Sequence, residues 1–172
     1  MPDIWILRIG HRPQRDKRVT THVALSSRAL GASGIFVDTK DDVLEENIGS
    51  VVKRFGGDYT IKTGVSWKKM LKEFDGEIVH LTMYGQRFDE ALPKISREKD
   101  LLIVVGAEKV PPEVYQAADH NISVGNQPHS EIAALAILLY AFTDGINLYS
   151  DRDGKMTVIP NARGKTVVEK HP

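Results

Sequence analysis

Two stretches of this sequence carry residues whose types and spacing suit chemistry. The later one begins where the apolar run Leu101–Val105 stops at Gly106, followed by Ala107-Glu108-Lys109-Val110-Pro111. A second short run, Ile122–Val124, stops at Gly125, and Asn126-Gln127-Pro128-His129-Ser130-Glu131 leads into another apolar segment. Each pattern reads as a buried strand of a parallel sheet that ends in a loop. Glycine lets backbone N–H and C=O groups approach a ligand closely. In open α/β sheets, ligands bind beyond the carboxyl ends of the strands. The pattern therefore predicts two neighbouring strands ending on one sheet edge, with a small molecule held between their loops.

The earlier stretch is basic. Arg8, His11, Arg12, Arg15, Lys17 and Arg18 fall within eleven residues, against the single acid Asp16. Such a loop suits phosphate groups, which position a nucleic acid without reading its sequence. It can present a basic face although the formal net charge is zero. Each feature has a plainer rival. A lone glycine more often just ends a strand, and a run of arginines is often a solvated surface. The two glycine loops taken jointly, and the crowding of cations in one loop, favour binding. His22 and His129 read as helix-start or packing residues, with His129 able to donate to a backbone carbonyl or a ligand carboxylate. His80 reads as a strand residue whose ring is satisfied nearby, and Glu131 as a favourable charge at a helix start.

These residues need a scaffold, and the pattern supplies one. Ile4–Leu7 reads as a first strand. Thr20 or Thr21 suits the cap of a helix running to Leu30, stopped by Gly31. Gly34–Val37 is a second strand, and Asp41 to Arg54 an amphipathic helix with Leu44, Ile48, Val51, Val52 and Phe55 on its stripe. A weak strand at Tyr59–Lys62 precedes a helix capped by Ser66, in which Trp67, Met70, Leu71 and Phe74 form a core face. Glu77–Leu81 is a strand, Phe88 to Arg97 a helix, and Pro111-Pro112 the first turn of a short helix to Ala118. Ser130 to Phe142 is apolar almost all round, which suits a buried helix or a subunit interface. Met156–Ile159 and Thr166–Val168 are candidate strands. Alternating strands and helices predict an α/β domain with a largely parallel sheet covered on both faces.

The totals bound the rest. A chain of 172 residues, 41% hydrophobic and 27% charged, is expected to fold as one domain with its own core. The absence of cysteine excludes disulfides and thiolate metal sites, and the six histidines lack metal-ligand spacing, so no metal is expected. No stretch reaches transmembrane length, and Met1-Pro2-Asp3 does not open a signal peptide, so a cytoplasmic protein without membrane contact is expected. A P-loop, a G-x-G-x-x-G after the first strand and a G-x-S-x-G are all missing, which disfavours P-loop nucleotide binding, classical dinucleotide binding and α/β-hydrolase chemistry.

Four segments then carry a resemblance. Gly10-His11-Arg12-Pro13 through Leu25, His80-Leu81-Thr82-Met83-Tyr84-Gly85, Gly106-Ala107-Glu108-Lys109-Val110-Pro111 and Gly125-Asn126-Gln127-Pro128-His129-Ser130-Glu131 resemble the archaeal tRNA cytidine-56 2′-O-methyltransferases of the SPOUT superfamily. Asn161-Ala162-Arg163-Gly164-Lys165 is similar to that family's C-terminal segment. The resemblance covers nearly the whole chain. It implies a parallel-sheet SPOUT fold with a C-terminal trefoil knot, a homodimer, S-adenosylmethionine as methyl donor and tRNA as substrate. The knot rests on resemblance alone, because most connections are un-knotted.

Carried over residue by residue, Leu81 is expected in the adenosine pocket. Gly106, Ala107, Glu108, Lys109 and Val110 match the second cofactor loop, and Val124 through Glu131 the third. Leu81 and Val110 can sandwich an adenine whose edge the loop backbones read. Arg18 is the expected group on the ribose and its phosphate, with Arg28 also possible from the local spacing. An arginine is hard to deprotonate, so orienting phosphate suits it better than acting as a base. Glu108 and Ser130 are the polar candidates nearest the reacting hydroxyl. Arg12, Arg15, Lys17 and Arg18 are the expected RNA contacts. Rival readings are a ribosomal RNA 2′-O-methyltransferase of the same fold, a non-catalytic RNA-binding module, and a small-molecule-binding regulatory domain.

Overall fold

A computed structural model describes residues 1–107 and 109–170. Glu108, one of the candidate catalytic and cofactor-loop residues, lies outside the described residues. The strands are β1 (Ile4–Ile9), β2 (Gly34–Val37), β3 (Thr60–Thr63), β4 (Glu77–Arg87), β5 (Leu101–Gly106) and β6 (His120–Ser123). They form a six-stranded sheet in the order β3-β2-β1-β5-β4-β6. Every pairing within it is parallel. Strands buried on both faces read as continuous apolar runs, which is why β5 was legible as the central strand.

The helices are α1 (Lys17–Ala29), α2 (Asp42–Phe55), α3 (Trp67–Glu73), α4 (Phe88–Ala91), α5 (Pro112–Ala117) and α6 (Glu131–Phe142). Alternate residues of the strands feed two cores. Ile4, Ile6, Val79, Leu81, Leu101 and Ile103 pack with buried residues of α1, α2 and α6. Leu7, Ile9, Ile78, Leu102 and Val104 pack with Leu71 of α3 and Val114 of α5. The chain ends in an antiparallel hairpin of β7 (Met156–Ile159) and β8 (Thr166–Glu169). Among the described residues no helix is long and apolar enough to cross a membrane.

Four expectations need correction. The strands bearing Gly106 and Gly125 are not neighbours, because β4 lies between β5 and β6. Their loops still open on the same sheet edge. Helix α1 starts at Lys17, not after Thr20 or Thr21. The Arg12 backbone N–H and guanidinium both donate to Asp16, and that turn begins the helix early. The helix expected over 88–97 stops at Ala91 and continues only as a 3-10 turn, Leu92–Lys94. Pro93 lacks the N–H that a longer α-helix would need. The third strand is Thr60–Thr63 rather than 59–62. Tyr59 is instead drawn into the core, where its hydroxyl meets Ser27 Oγ at 2.8 Å.

The contact of β4 with β6 has an unusual register. Ile122 pairs with Leu81 and again with Gln86. The chain leaves β6 at Leu81, turns through residues 82–85 and meets it a second time. Gly85 makes this possible: a Cβ there would lie 2.5 Å from the carbonyl carbon and oxygen of Asn121 and from Ile122 N. Backbone atoms cannot yield as a side-chain tip can. Gly85→Ala should therefore lower unfolding stability by ~1–3 kcal/mol, the usual cost of overpacking. Gly49, inside α2 with nothing within 4 Å of a built Cβ, is the control. Gly49→Ala should be neutral or stabilising, by up to ~1 kcal/mol. Urea denaturation midpoints of the two variants check the contrast, and equal midpoints would contradict it.

Candidate active site

Beyond the carboxyl ends of β4, β5 and β6 lies a cleft of about 260 Å³. Its walls bring together most of the expected cofactor residues: Leu81 from β4, Gly106, Ala107 and Val110 from the second loop, and Val124, Gly125, Gln127, Pro128, His129, Ser130 and Glu131 from the third. Lys109 and Asn126 belong to these loops but are not on the wall, and both are exposed.

The local geometry follows from the residue types. A Cβ on Gly106 would lie 2.2 Å from Val110 Cγ2, so a side chain there would push the Val110 methyl from its place over the strand end. Gly125 has φ +81°, a left-handed conformation that L side chains rarely adopt, and open space beside it. Ser130 caps α6, its Oγ accepting from Ile132 N at 3.2 Å. His129 ties the third loop together. Its Nε2 faces the Val124 carbonyl at 2.5 Å and its Nδ1 the Ser130 carbonyl at 3.0 Å. Of the partners proposed for it, the backbone carbonyls are the ones it meets.

Arg8 is the residue that sequence reasoning misplaced. Counted with the basic loop, it is 1% exposed on the inner face of β1. Its Nη1 donates to the Gly106 carbonyl at 3.0 Å and reaches Glu131 Oε1 at 3.2 Å. Its Nε lies 3.4 Å from Thr20 Oγ1, and Thr20 in turn meets His11 Nδ1 at 2.7 Å. His11 Nε2 lies 2.8 Å from Asp41 Oδ2. One buried cation thus fastens the second loop to the start of α6. Extending the first strand by one residue would have put position 8 on the face of Ile4 and Ile6, the signal that could have found it.

With Arg8 and His11 buried, the basic face is smaller than expected. Arg12 is held by Asp16, whose carboxyl that guanidinium keeps below the usual carboxylate range. Arg15, Lys17 and Arg18 remain exposed at the start of α1. Arg18 is not on the cleft wall. Arg28, the other candidate, lies at the far end of α1, where its Nη2 donates to the Gly56 carbonyl at 2.6 Å. It lines a separate cavity with Arg152 and Tyr149.

The cleft suits an adenosine-bearing ligand. Its floor and sides are apolar at Leu81, Val110, Ile122 and Ala134, and polar groups converge at its rim. Residues not anticipated also line it: His80, Thr82, Met83, Tyr84 and Tyr115. They come from β4 itself and from α5, and of the segment His80–Gly85 only Leu81 was expected in the pocket. His80 departs from its expected satisfaction. Its Nδ1 lies 3.0 Å from Asn121 Oδ1, but its buried Nε2 has no hydrogen-bond partner.

The profile of the tRNA ribose 2′-O-methyltransferases matches residues 55–168. The tRNA (cytidine(56)-2′-O)-methyltransferase of Archaeoglobus fulgidus is 55% identical over 168 residues, covering 98% of this chain and 99% of that one. The enzyme of that name from Thermococcus kodakarensis is 52% identical over 96% of this chain and 97% of its own. Among solved structures, the A. aeolicus TrmH/SpoU tRNA-modifying enzyme superposes with a TM-score of 0.63 at 17% identity, over 89% of this chain and 81% of that chain. The SpoU methyltransferase AviRb of Streptomyces viridochromogenes, solved with AdoMet, gives 0.59 at 18% identity, over 84% and 58%. At such identities the likeness is one of fold: a SPOUT-type parallel sheet with flanking helices.

The cleft histidines should titrate in opposite directions. The carbonyls of Val124 and Ser130 favour protonated His129, raising its pKa above 6.5. Its tie to the loop is complete below that value and is lost as pH rises through the raised one. Burial holds His80 below 6.5, against the pull of Asn121. An NMR titration of the imidazole resonances should therefore show His129 midway above 6.5 and His80 below it. The reverse order would refute the geometry of both rings.

Proposed function

The chain belongs to the tRNA ribose 2′-O-methyltransferase family, and from that premise we propose that it methylates the ribose 2′-hydroxyl of cytidine 56 in tRNA. The methyl donor is S-adenosylmethionine. The observation that carries this reading is the cleft itself, in which the two glycine loops converge beside apolar walls that fit adenosine. S-adenosylmethionine supplies an activated sulfonium methyl, so the protein's task is alignment and loss of one hydroxyl proton. Holding reactants in line supplies a large part of such a barrier, and assistance to proton loss typically adds ~10²–10⁴-fold.

The residues divide this work. Leu81 and Val110 hold the adenine faces, and the backbones of Gly106–Val110 and Val124–Gln127 read its edge. Arg8 keeps the two loops in register by joining the Gly106 carbonyl to Glu131. Ser130 stands at the cleft mouth with a hydroxyl proton not used by its cap. Glu108 belongs in sequence to the second loop, with Gly106 and Val110. Arg12, Arg15, Lys17 and Arg18 grip phosphates of the RNA, and Arg18 orients the ribose-phosphate at the reacting centre.

We infer a homodimer from two features. Helix α6 buries Leu135, Leu138 and Leu139 yet leaves Ile137 46% and Tyr140 53% exposed, so a second apolar face needs cover. Arg18 does not line the cleft of its own chain, and a second copy can bring it there. A chain crossing of the trefoil kind, which the resemblance to the SPOUT methyltransferases implies, belongs to the same reading. The 1–172 chain is then one methyltransferase domain.

Three measurements test this. Radiolabelled methyl transfer to unmodified tRNA, with mapping of the labelled nucleotide, should place the methyl on the 2′-oxygen of cytidine 56. Label entering ribosomal RNA instead would favour the rival substrate. Affinity for tRNA should fall steeply with salt, and Arg15→Ala should reduce the slope by about 1. A mixture of two inactive variants tests the dimer: Arg18→Ala, and Gly106→Val, whose Cβ would lie 2.2 Å from Val110 Cγ2. Mixed dimers with Arg18 acting across the interface regain activity. A mixture as inactive as its parents would place Arg18 on its own cleft or remove it from the reaction.

A further inference from the structure

His80 sits on the cleft wall, fully buried, with one ring nitrogen engaged and one not. The engaged side fixes the tautomer. Asn121 Nδ2 donates to the Tyr115 carbonyl at 3.0 Å, which turns Asn121 Oδ1 toward His80. That oxygen can only accept, so His80 Nδ1, 3.0 Å away, carries the proton. Nε2 is then a bare lone pair. The ring is further held edge-on against Tyr115, with centroids 4.7 Å apart and planes at 87°. Tyr115 is itself anchored by its hydroxyl, 2.9 Å from Thr82 Oγ1. His80 is therefore an oriented acceptor. Buried acceptors without a partner are rare in native proteins, and each one calls for an explanation.

A ligand donor is the explanation the surroundings favour. S-adenosylmethionine offers an exocyclic amine on adenine, two ribose hydroxyls and an ammonium. The ammonium is a cation and suits carboxylate or carbonyl oxygen better than a neutral imidazole. Burial also disfavours a charged ring at this position, which keeps the lone pair available. The wall also carries the apolar side chains of Leu81, Ile122 and Val110, a slot suited to a flat heterocycle rather than to a hydroxylated sugar. The donor on that heterocycle is its amine.

We propose that His80 is a specificity-determining residue for the methyl donor, its Nε2 accepting a hydrogen bond from the exocyclic amine of adenine. This rests on the reading that the cleft holds S-adenosylmethionine. It assigns to a side chain part of the base recognition otherwise left to loop backbones. Asn121 and Tyr115 serve as positioning residues that set the tautomer and the ring plane.

The test uses the full chain and two probes, S-adenosylhomocysteine and its inosine analogue, in which a carbonyl replaces the amine. In calorimetry, His80→Phe should weaken S-adenosylhomocysteine about tenfold, the size of one lost hydrogen bond. His80→Gln, which can return an acceptor near the Nε2 position, should recover most of that. The wild type should discriminate against the inosine analogue, and His80→Phe should lose that discrimination. Equal discrimination by both proteins would overturn the inference. A second readout needs no variant. The ¹⁵N resonance of His80 Nε2 in the wild type should shift on adding S-adenosylhomocysteine, and an unmoved resonance in the saturated protein would equally overturn it. A wild type that binds neither probe removes the cofactor reading and this inference together, whereas normal wild-type binding without a His80 effect removes only the inference.

Discussion

A single buried cation holds the active end of this molecule together. Arg8 lies at the end of β1, on the face shared with α1 and α6, where the strand pattern would otherwise place an aliphatic residue. A guanidinium removed from water is costly unless its hydrogen bonds are met. Here they are met by groups from three different parts of the chain: the Gly106 carbonyl, the Glu131 carboxylate and the Thr20 hydroxyl. The penalty for burying the charge is what makes the contact specific. Displacing the second loop, α1 or the start of α6 would leave part of the buried guanidinium unmet, so Arg8 couples their relative positions. Lysine would offer one point charge in place of a planar fork and could not span the same partners.

The network continues outward in a way that joins the cleft to the basic loop. Thr20 passes from Arg8 to His11, and His11 to Asp41, the residue that caps α2 through Leu44 N. Asp38 accepts from the backbone of Gly10 and His11, which pins the first residues of the loop. Beyond them Arg12 and Asp16 set the start of α1. The loop is therefore rigid at its root and basic at its exposed end. That arrangement suits a surface that must present cations at a fixed distance from a preformed cleft.

Much of this was legible in the sequence, and the failures have a common cause. The apolar run of β5, the stripe of α2, the uniform apolarity of α6 and the two glycine loops are local signals, and each led to the right element or the right edge. Arg8 and Gly106 are partners 98 residues apart, and His80 and Asn121 are 41 apart. Nothing in local periodicity reports such pairings. The misreadings follow the same line. Gly106 and Gly125 were placed on neighbouring strands because β5 and β6 are consecutive in sequence, whereas β4 pairs with both. Arg8 was grouped with the surface cations because composition counts charge without regard to which face of a strand carries it.

The position of β4 between the two glycine-bearing strands has a chemical consequence. Had β5 and β6 been adjacent, their loops would have closed directly on one another and left little space beyond the sheet. With β4 between them, its own end becomes the floor: Leu81 supplies an apolar face and His80, one residue earlier and pointing to the opposite side of the sheet, a polar one. The same strand must then clear β6, and it does so by turning at residues 82–85 with a glycine against the Asn121 backbone. Asn121 is thus used twice. Its backbone packs against Gly85 where β4 meets β6 a second time, and its side chain orients His80. A displacement of that contact would shift His80 on the cleft wall as well as the sheet, which ties the register of β4 on β6 to the shape of the cleft.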